Sequence, residues 1–376
     1  MNILNILNYS PEFGGGIAKL LLALGKESKL NGHKLFIGFP ERREWQNELS
    51  LHSEIIIIPE IKSASMFKFS KIIHNICKTH SIDILHLHFK FALAFSLACS
   101  FKKCTIPVIF HWHNIPKVLN EFLTPQRKFQ NKLKRISLRI VASFTDSRII
   151  NYHISISREI IELLTKNKWT DPEKIIFLPN GITKNNLQSN RSKLGLKKVP
   201  VIGTVANFRP QKDYETLLNA FSILDKSGVK SELWIIGDGP NRNSVENLAN
   251  ELGISSSIRF LGIVQNPAEV YNNFDIFVLS THFEGHPLVL LEAMSHGLPI
   301  IATAVSSIME VITHQENGLL VKHQDAKDLA SAFQILLDDE SLNSKLRQAS
   351  SETFQLQISI DDWANKLIAI YEQLQK

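Results

Sequence analysis

The chain has few cysteines and no long apolar run, and each absence excludes a class of protein. Its three cysteines, Cys77, Cys99 and Cys104, form no C-x-x-C pair. This argues against a disulfide framework or a zinc site and is typical of a reducing compartment. No apolar stretch reaches the ~18 residues of a membrane-spanning helix. The start, MNILNILNYS, has no basic segment and predicts a strand, not a signal peptide. We expect a cytoplasmic protein, with attachment to the inner face of the cell membrane as an open alternative.

Three well-known phosphate and metal motifs are also absent. No G-K-[ST] segment follows a glycine-rich turn, so a P-loop is excluded. The G-x-G of Gly237 to Gly239 lacks the third glycine of a dinucleotide fingerprint, which makes that signal weak. No D-x-D triplet occurs, so the sequence gives no support for a metal-chelated diphosphate.

Length and charge point to two unlike halves. A chain of 376 residues is too long for one ordinary core, so we expect two domains. Residues 1–183 hold 25 Lys+Arg and 14 Asp+Glu, a net charge of +11, whereas the remainder holds 17 and 22, a net of −5. A basic first half predicts an anionic partner for that half.

The most informative stretch runs from Phe274 to Thr303. It predicts a buried strand over 275–279, a turn-rich loop over 280–287, a helix over 289–296 and a second strand over 299–302. This is a βαβ unit whose loop lies at the carboxyl end of a parallel strand. Open α/β sheets bind their ligands at that position.

The loop has the residues of an anion site. Gly285 permits close approach of backbone to a ligand, and Pro287 suits a first helical position, where its missing N–H costs nothing. The N–H groups near Leu288 and Val289 are then available for an anion such as phosphate.

Two carboxylates, Glu284 and Glu292, bracket this helix start. A carboxylate beside a phosphate site is suited to accept hydrogen bonds from hydroxyl groups, as on sugar rings. The pair therefore indicates a phosphorylated ligand with hydroxyl-bearing groups on both sides, which describes a nucleotide-sugar. From spacing alone, two glutamates that merely favour the helix dipole are an equal alternative.

The string E-G-x-P-L-V-L-L-E-A-M-x-x-G-L-P-I-I-A-T closely resembles the E-x7-E segment of retaining glycosyltransferases of family 4, which have the GT-B fold. The resemblance covers essentially the whole chain and is strongest from Val201 to Val321. It implies an α/β protein of two doubly wound, Rossmann-like domains that face each other across a cleft.

The implied domains are an acceptor-side domain over 1–183, a nucleotide-sugar-binding domain over 184–355, and a C-terminal helix over 356–376 that crosses back to the first domain. The composition agrees with this boundary, because the turn Pro179 to Gly181 and the polar stretch Thr183 to Lys198 are typical of a linker. Thr183 replaces an acidic residue that is usual in the family.

The loop NFRPQKD, from Asn207 to Asp213, carries two cations between a strand and a helix. From the residues alone it is a diphosphate clamp or an ordinary surface loop. In the family an Arg and a Lys here neutralise the donor diphosphate. Lys212 aligns with that lysine, whereas Asn207 occupies the usual arginine position and Arg209 is expected to substitute for it.

In the first half, Gly14 to Gly16 precede a helical pattern over 17–30. This segment either binds phosphate at the start of the helix or only makes a tight turn. The resemblance places it near donor phosphate and acceptor.

Four histidines, at positions 86, 88, 111 and 113, fall at strand ends, and an H-x-H pair on a strand shares one face. Without an acidic or cysteine partner nearby in sequence, we expect no metal site. The resemblance implies that His113 contacts the donor sugar.

The segment Gln126 to Val141 holds six Lys/Arg and no acid, with apolar residues at helical spacing. It predicts a basic amphipathic helix that either packs on its own domain or meets an anionic membrane surface or a charged acceptor. Nucleic-acid binding would need stacking aromatics among the charges. Phe129 is the only one, so we expect no nucleic-acid partner.

The resemblance implies a retaining, metal-independent glycosyltransferase without a cofactor. It would move a sugar from a nucleotide-diphosphate donor to a glycan or lipid-linked acceptor, in bacterial surface polysaccharide synthesis. The expected catalytic residues are Glu284, Lys212, Arg209 and His113. The expected donor-binding residues are Gly14, Gly15, Gly16, Asn207, Gly237, Gly262, Gly285, His286, Pro287, Leu288, Val289 and Glu292.

Two alternatives stay open: a nucleotide-sugar epimerase on the same fold, and a non-catalytic sugar-nucleotide-binding subunit of a membrane glycan assembly. Ser306-Ser307 stands where relatives usually have glycines. We expect its side chains to crowd or reshape the sugar pocket.

Overall fold

The structure is a computed structural model that describes residues 1–8, 15–63, 66–88, 106–113, 150–184, 199–264 and 267–375. It divides into two compact units. The first comprises Met1–Gly181 and Ile358–Lys376, and the second comprises Ile182–Gln357.

The first unit contains a parallel sheet with the strand order β3-β2-β1-β4-β5-β6-β7. Its strands are β1 Asn2–Leu7, β2 Lys34–Phe39, β3 Glu54–Ile57, β4 Ile84–His88, β5 Val108–Trp112, β6 Ile150–Ser155 and β7 Ile175–Phe177. Its helices before the second unit are α1 Gly15–Leu30, α2 Gln46–Leu49, α3 Glu60–Ser63, α4 Met66–Thr79 and α5 Arg158–Lys166.

The second unit contains a parallel sheet with the order β10-β9-β8-β11-β12-β13. Its strands are β8 Val201–Val205, β9 Glu232–Ile236, β10 Ile258–Gly262, β11 Ile276–Leu279, β12 Ile300–Thr303 and β13 Leu319–Val321. Its helices are α6 Tyr214–Lys226, α7 Arg242–Glu251, α8 Pro267–Tyr271, α9 Leu288–Ser295, α10 Ser306–Met309, α11 Ala326–Asp338 and α12 Glu340–Leu356.

Both sheets are covered on two faces, which explains their continuous apolar strands. In β11 every residue is buried, and successive side chains enter different cores: Val278 joins one cluster, and Phe277 and Leu279 join the other. Strand β1 divides in the same way, with Leu4 in one cluster and Ile3 in another. Parallel strands buried on both faces need apolar residues at every position. The predicted fold class of two doubly wound α/β domains is confirmed.

A last helix, α13 Ile360–Gln373, belongs to the first unit. Ser359 caps its start by accepting a hydrogen bond from the N–H of Asp362 at 3.0 Å. Its buried Trp363 and Leu367 lie in the same core as Ile3 of β1. Gly181 makes this packing possible, because a Cβ there would lie 2.6 Å from Cβ of Trp363.

Some predicted boundaries were wrong. The helix expected over 17–30 begins at Gly15. Helices α5 and α7 were not predicted. Helix α7 buries only Val245 and Ala249 of its ten residues, which is a weak periodic signal.

The predicted basic helix over 126–141, Gly14 and most of the predicted linker lie outside the described residues. Among the helices that the structure describes, none is long and apolar enough to cross a membrane.

Replacing Leu367 by alanine tests the place of helix α13. Leu367 is fully buried against the first sheet, so we expect Leu367→Ala to lower the free energy of unfolding of the first unit by about 2–5 kcal/mol. Urea unfolding followed by hydrogen exchange checks this, with faster exchange expected in β1 and α1. The neighbouring exposed Lys366→Ala is the control and should change neither quantity. Faster exchange confined to peptides of the second unit would contradict the assignment of helix α13 to the first unit.

Candidate functional site

Two loops of the second unit lie side by side at the carboxyl edge of its sheet, because β8 and β11 are neighbouring parallel strands. The N–H of His282 donates to the carbonyl of Gln211 at 2.8 Å. The amide of Gln211 donates to the carbonyl of Phe283 at 2.6 Å, and the hydroxyl of Ser280 donates to the carbonyl of Lys212 at 3.1 Å. These bonds fix one loop against the other.

The loops bring Lys212 and Glu284 together. Lys212 Nζ lies 2.5 Å from Glu284 Oε1, and the two side chains are only 15% and 9% exposed. The Thr281 hydroxyl lies 3.0 Å from the same carboxylate oxygen. A largely buried carboxylate with two donors is held in one orientation. The ammonium of Lys212 has three donors, so the ion pair uses only part of its capacity.

Ser307 holds the backbone at Glu284. Its buried hydroxyl donates to the carbonyl of Glu284 at 3.0 Å. The sequence identified Ser306-Ser307 only as a departure expected to crowd or reshape the sugar pocket. The structure shows that Ser307 also contacts the backbone of Glu284, and the expected effect on a sugar pocket stays a prediction. No local pattern could reveal this contact, since the partners are separated by 23 residues.

The start of helix α9 lies directly beyond this pair. Pro287 precedes the helix with φ −77° and ψ 90° and provides no side-chain cap. Our prediction that Pro287 is the first helical residue was therefore wrong by one position, because its ψ is extended. Leu288 and Val289 open the helix, where N–H groups have no partner within it and can meet an anion. Gly285 is buried beside Glu284.

His286 lies in the same loop. Its Nδ1 is buried and has no hydrogen-bond partner among the described residues. Burial lowers the pKa of His286 to about 4, so its imidazole is neutral near pH 7. A neutral imidazole with an unused nitrogen can donate to or accept from a polar ligand.

Glu292, one turn further along α9, is oriented by a residue that sequence reasoning missed. The hydroxyl of Tyr271 donates to Glu292 Oε2 at 3.1 Å. Burial raises the pKa of Tyr271 well above its usual value, and the negative charge of Glu292 raises it further. The hydroxyl therefore keeps its proton. His296 stacks on Tyr271 with ring centroids 5.1 Å apart. No pattern in the sequence indicates that Tyr271 lies beside Glu292, because the two residues are 21 positions apart.

A glycine, Gly237, packs closely against the loop that carries Asn207 and Arg209. A Cβ on Gly237 would lie 2.2 Å from the carbonyl oxygen of Ala206, and Gly237 has φ +135°. The N–H of Gly237 donates to the carbonyl of Gly262 at 2.8 Å. Both Asn207 and Arg209 are exposed. Gly237 and Gly262 therefore have a structural role. Gly237 allows close packing against this loop, and Gly262 accepts a hydrogen bond that fixes Gly237.

In the first unit, the four histidines form one buried cluster at the ends of β4 and β5, where His88 pairs with His111 in register. His88 Nδ1 lies 2.8 Å from His113 Nε2, and His86 Nδ1 lies 2.6 Å from the hydroxyl of Tyr371 on α13. Burial lowers the pKa of both His86 and His113 to about 3. The cluster is uncharged near neutral pH.

This cluster has the spacing of a metal site, since ligand atoms of His86, His88 and His111 lie within 4.8 Å of one another. Both nitrogens of His88 are already engaged, with His113 and with Asn5 Oδ1 at 2.8 Å. A metal would have to displace one of these bonds. Our expectation of no metal here stays a prediction.

Of the predicted glycine-rich turn, the structure describes Gly15 and Gly16. Both lie in the first turn of α1, and Gly15 is exposed with φ +60°. The predicted site residues thus fall into two sets: one in the loops of the second unit, and one, with His113, in the first.

Two family sequence models match the chain. "Glycosyltransferase Family 4" matches residues 14–185, and "Glycosyl transferases group 1" matches residues 187–353. The matches correspond to the two structural units.

Similar proteins include glycosyltransferases of bacterial surface polysaccharides. The lipopolysaccharide core biosynthesis glycosyltransferase LpsE of Rhizobium meliloti is 32% identical over 43% of this chain and 46% of its own length. An uncharacterized 41.2 kDa protein in the cps region of Klebsiella pneumoniae is 24% identical over 98% of this chain and 99% of its own length. The chain spans 43% to 58% of the length of LpsE and the next two curated relatives that it matches.

Solved structures share the fold. Anabaena Alr3699/HepE in complex with UDP and glucose is 16% identical, with a TM-score of 0.78 over 99% of this chain and 100% of that chain.

Acid should destabilise the first unit through its buried histidines. A histidine with a folded pKa near 3 and an unfolded pKa near 6.5 favours the folded state fully above pH 6.5, and this advantage falls as the pH drops. At pH 5 the loss is ~2 kcal/mol for each such residue.

The measurement is urea unfolding at pH 7.5 and pH 5. His111→Leu should reduce the acid loss and still fold, because neither His111 nitrogen has a described hydrogen-bond partner. The exposed His74→Gln is the control. An acid loss that is the same in His111→Leu as in wild type would contradict a neutral His111.

Proposed function

Because this chain belongs to glycosyltransferase family 4, we propose that it transfers a sugar from a nucleotide-diphosphate donor to a glycan or lipid-linked acceptor. The observation that carries the proposal is the Lys212–Glu284 pair beside the open start of helix α9. A cation, a carboxylate and unused N–H groups meet on rigid loops, and this combination suits a ligand that is both phosphorylated and rich in hydroxyls.

We assign binding of the donor diphosphate to the cations of this loop and to the start of helix α9. As the donor bond breaks, negative charge develops on the leaving diphosphate. Lys212, with Arg209 on the exposed part of the same loop and the N–H groups of Leu288 and Val289, would stabilise that charge. Lys212 and the two N–H groups are held before the ligand arrives, so little reorganisation of these groups accompanies the reaction.

The carboxylates supply orientation. Glu284 would accept hydrogen bonds from hydroxyls of the transferred sugar, while Lys212, Thr281 and Ser307 keep it in place. Glu292 would accept from the ribose hydroxyls, with Tyr271 fixing its second oxygen. For His113 the family resemblance implies a contact with the donor sugar. Its low pKa makes it a neutral hydrogen-bond partner and not a cation.

We propose retention at the anomeric carbon. The departing diphosphate oxygen would take the proton of the incoming hydroxyl on the same face of the sugar, so that no protein base is required. Protein cations would stabilise the diphosphate in place of a metal, which agrees with the absence of a D-x-D triplet from the sequence.

The acceptor side is proposed from charge and from relatives. Similar proteins are named for lipopolysaccharide core and capsular polysaccharide biosynthesis. The net charge of +11 on residues 1–183 suits an anionic acceptor or membrane surface. We assign this contact to the basic segment 126–141, which places a cytoplasmic enzyme at the inner face of the membrane.

Lysine 212 is the first residue to test by activity. Lys212→Ala should lower kcat by about 10²-fold or more, the loss expected when one donor to a developing negative charge is removed. Steady-state kinetics with the identified donor check this. Lys226→Ala, an exposed lysine on α6, is the control and should keep wild-type kcat. A Lys212→Ala activity within about threefold of wild type would overturn the role, since such a change is far below that expected for a charge-stabilising donor.

Nucleotide binding tests the donor site without an acceptor. One of UDP, GDP, ADP and CMP should raise the unfolding temperature of wild type, because a ligand at 100 times its Kd stabilises by ~2.7 kcal/mol. The same nucleotide should stabilise Lys212→Ala much less and Lys226→Ala fully. No shift with any nucleotide would contradict the proposed donor site. A shift without transfer to any acceptor would favour the non-catalytic subunit, and release of altered nucleotide-sugar in acceptor-free buffer would favour an epimerase.

A further inference from the structure

Three metal-ligand side chains that the proposed reaction does not use meet at the edge of the second sheet. They are Asp213, which begins α6, His282 in the loop after β11, and His323 just after β13. His282 Nδ1 lies 2.9 Å from His323 Nε2 and 3.6 Å from Asp213 Oδ2. All three ligand atoms lie within 4.8 Å of one another.

Hydrogen bonding within the cluster satisfies only part of it. One proton between His282 and His323 serves their 2.9 Å contact. The side chain of Asp213 is only 5% exposed. Its Oδ2 is buried and has no hydrogen-bond partner among the described residues. A buried carboxylate oxygen without a donor is costly. A cation bound to all three atoms would remove that cost.

We propose that Asp213, His282 and His323 bind a late first-row divalent cation such as Zn²⁺. Zinc–nitrogen and zinc–oxygen bonds of ~2.0–2.2 Å in a tetrahedron place ligand atoms ~3.3–3.5 Å apart. The observed separations of 2.9 and 3.6 Å lie on either side of that value. Two imidazoles with one carboxylate favour Zn²⁺, Ni²⁺ or Cu²⁺ over Mg²⁺ and Ca²⁺, which prefer oxygen ligands.

The ligands are held by the fold before a metal arrives. Asp213 has φ +41° and uses Oδ1 to accept from the N–H of Thr216 at 3.3 Å, which leaves Oδ2 for the cluster. The backbone of His282 is fixed by its bond to Gln211. His323 is exposed and the side chain of His282 is 31% exposed, so an ion and a water as fourth ligand can reach the site.

The site is separate from the proposed donor contacts but shares their loops. Asp213 follows Lys212 in sequence, and His282 precedes Glu284 by two positions. A bound ion would therefore tie the two loops and the end of β13 together. Zinc binding requires neither donor nor acceptor, so its test is independent of glycosyl transfer.

Calorimetric titration of the metal-free full chain with ZnCl2, and in parallel with MgCl2, tests the site. We expect one Zn²⁺ per chain and no heat from MgCl2. Asp213→Asn and His323→Gln should each weaken zinc binding by more than the about 10- to 100-fold that loss of a residue supporting a metal ligand costs. Asparagine caps a helix as well as aspartate does, so Asp213→Asn keeps the start of α6. The exposed His74→Gln is the control and should bind zinc as wild type does.

X-ray absorption at the zinc edge provides a second readout, with two imidazoles and one carboxylate expected in the wild type and one imidazole lost in His323→Gln. Three results would overturn the proposal: no zinc binding by the wild type, equal zinc affinity in wild type, Asp213→Asn and His323→Gln, or a zinc spectrum with sulfur ligands.

Discussion

The parallel pairing of β8 with β11, and of β11 with β12, is the constraint on which the candidate site depends. In such a sheet every strand ends at the same edge, so loops far apart in sequence become neighbours. Lys212 and Glu284 are separated by 72 residues and meet only because of this pairing. The same edge brings Asp213 to His282 and His323. One geometric rule thus produces both the proposed donor site and the proposed metal site.

The second consequence of that pairing is rigidity. The loops are joined by bonds from Gln211 and Ser280, and Ser307 adds a bond to Glu284 from helix α10. A charge-stabilising site is effective when its groups are fixed before the ligand binds. The small polar residues around Glu284 therefore serve the proposed chemistry indirectly, by limiting the movement of one carboxylate and one ammonium.

In the first unit, the main constraint is the burial of polar side chains. Its histidine cluster places polar rings in a buried core, and burial keeps them neutral by lowering their pKa values. Helix α13, which comes last in the chain, supplies Tyr371 as a partner for His86. The unit thus depends on a segment more than 170 residues away from the rest of it in sequence. Its stability should fall with acid through this cluster, and among the described residues His286 alone should give the second unit a smaller dependence of the same sign.

Much of this could be predicted from the sequence, for identifiable reasons. Buried parallel strands are continuous apolar runs, so β11 and β12 were predicted to within one residue of their observed bounds. The segment from Glu284 to Glu292 was long and specific enough to indicate the family and the loop that carries the site. Boundaries were poorer where a helix packs with few buried residues, as in α7.

The sequence by itself determined the two-domain α/β class, the family and the residue types of the proposed donor site, because these depend on local periodicity and on one continuous motif. Only the tertiary structure decided which side chains touch. Tyr271 at Glu292, Ser307 at Glu284 and the cluster of Asp213, His282 and His323 all join separate loops or helices. Such contacts depend on how strands pair and stack, and no spacing along the chain encodes them.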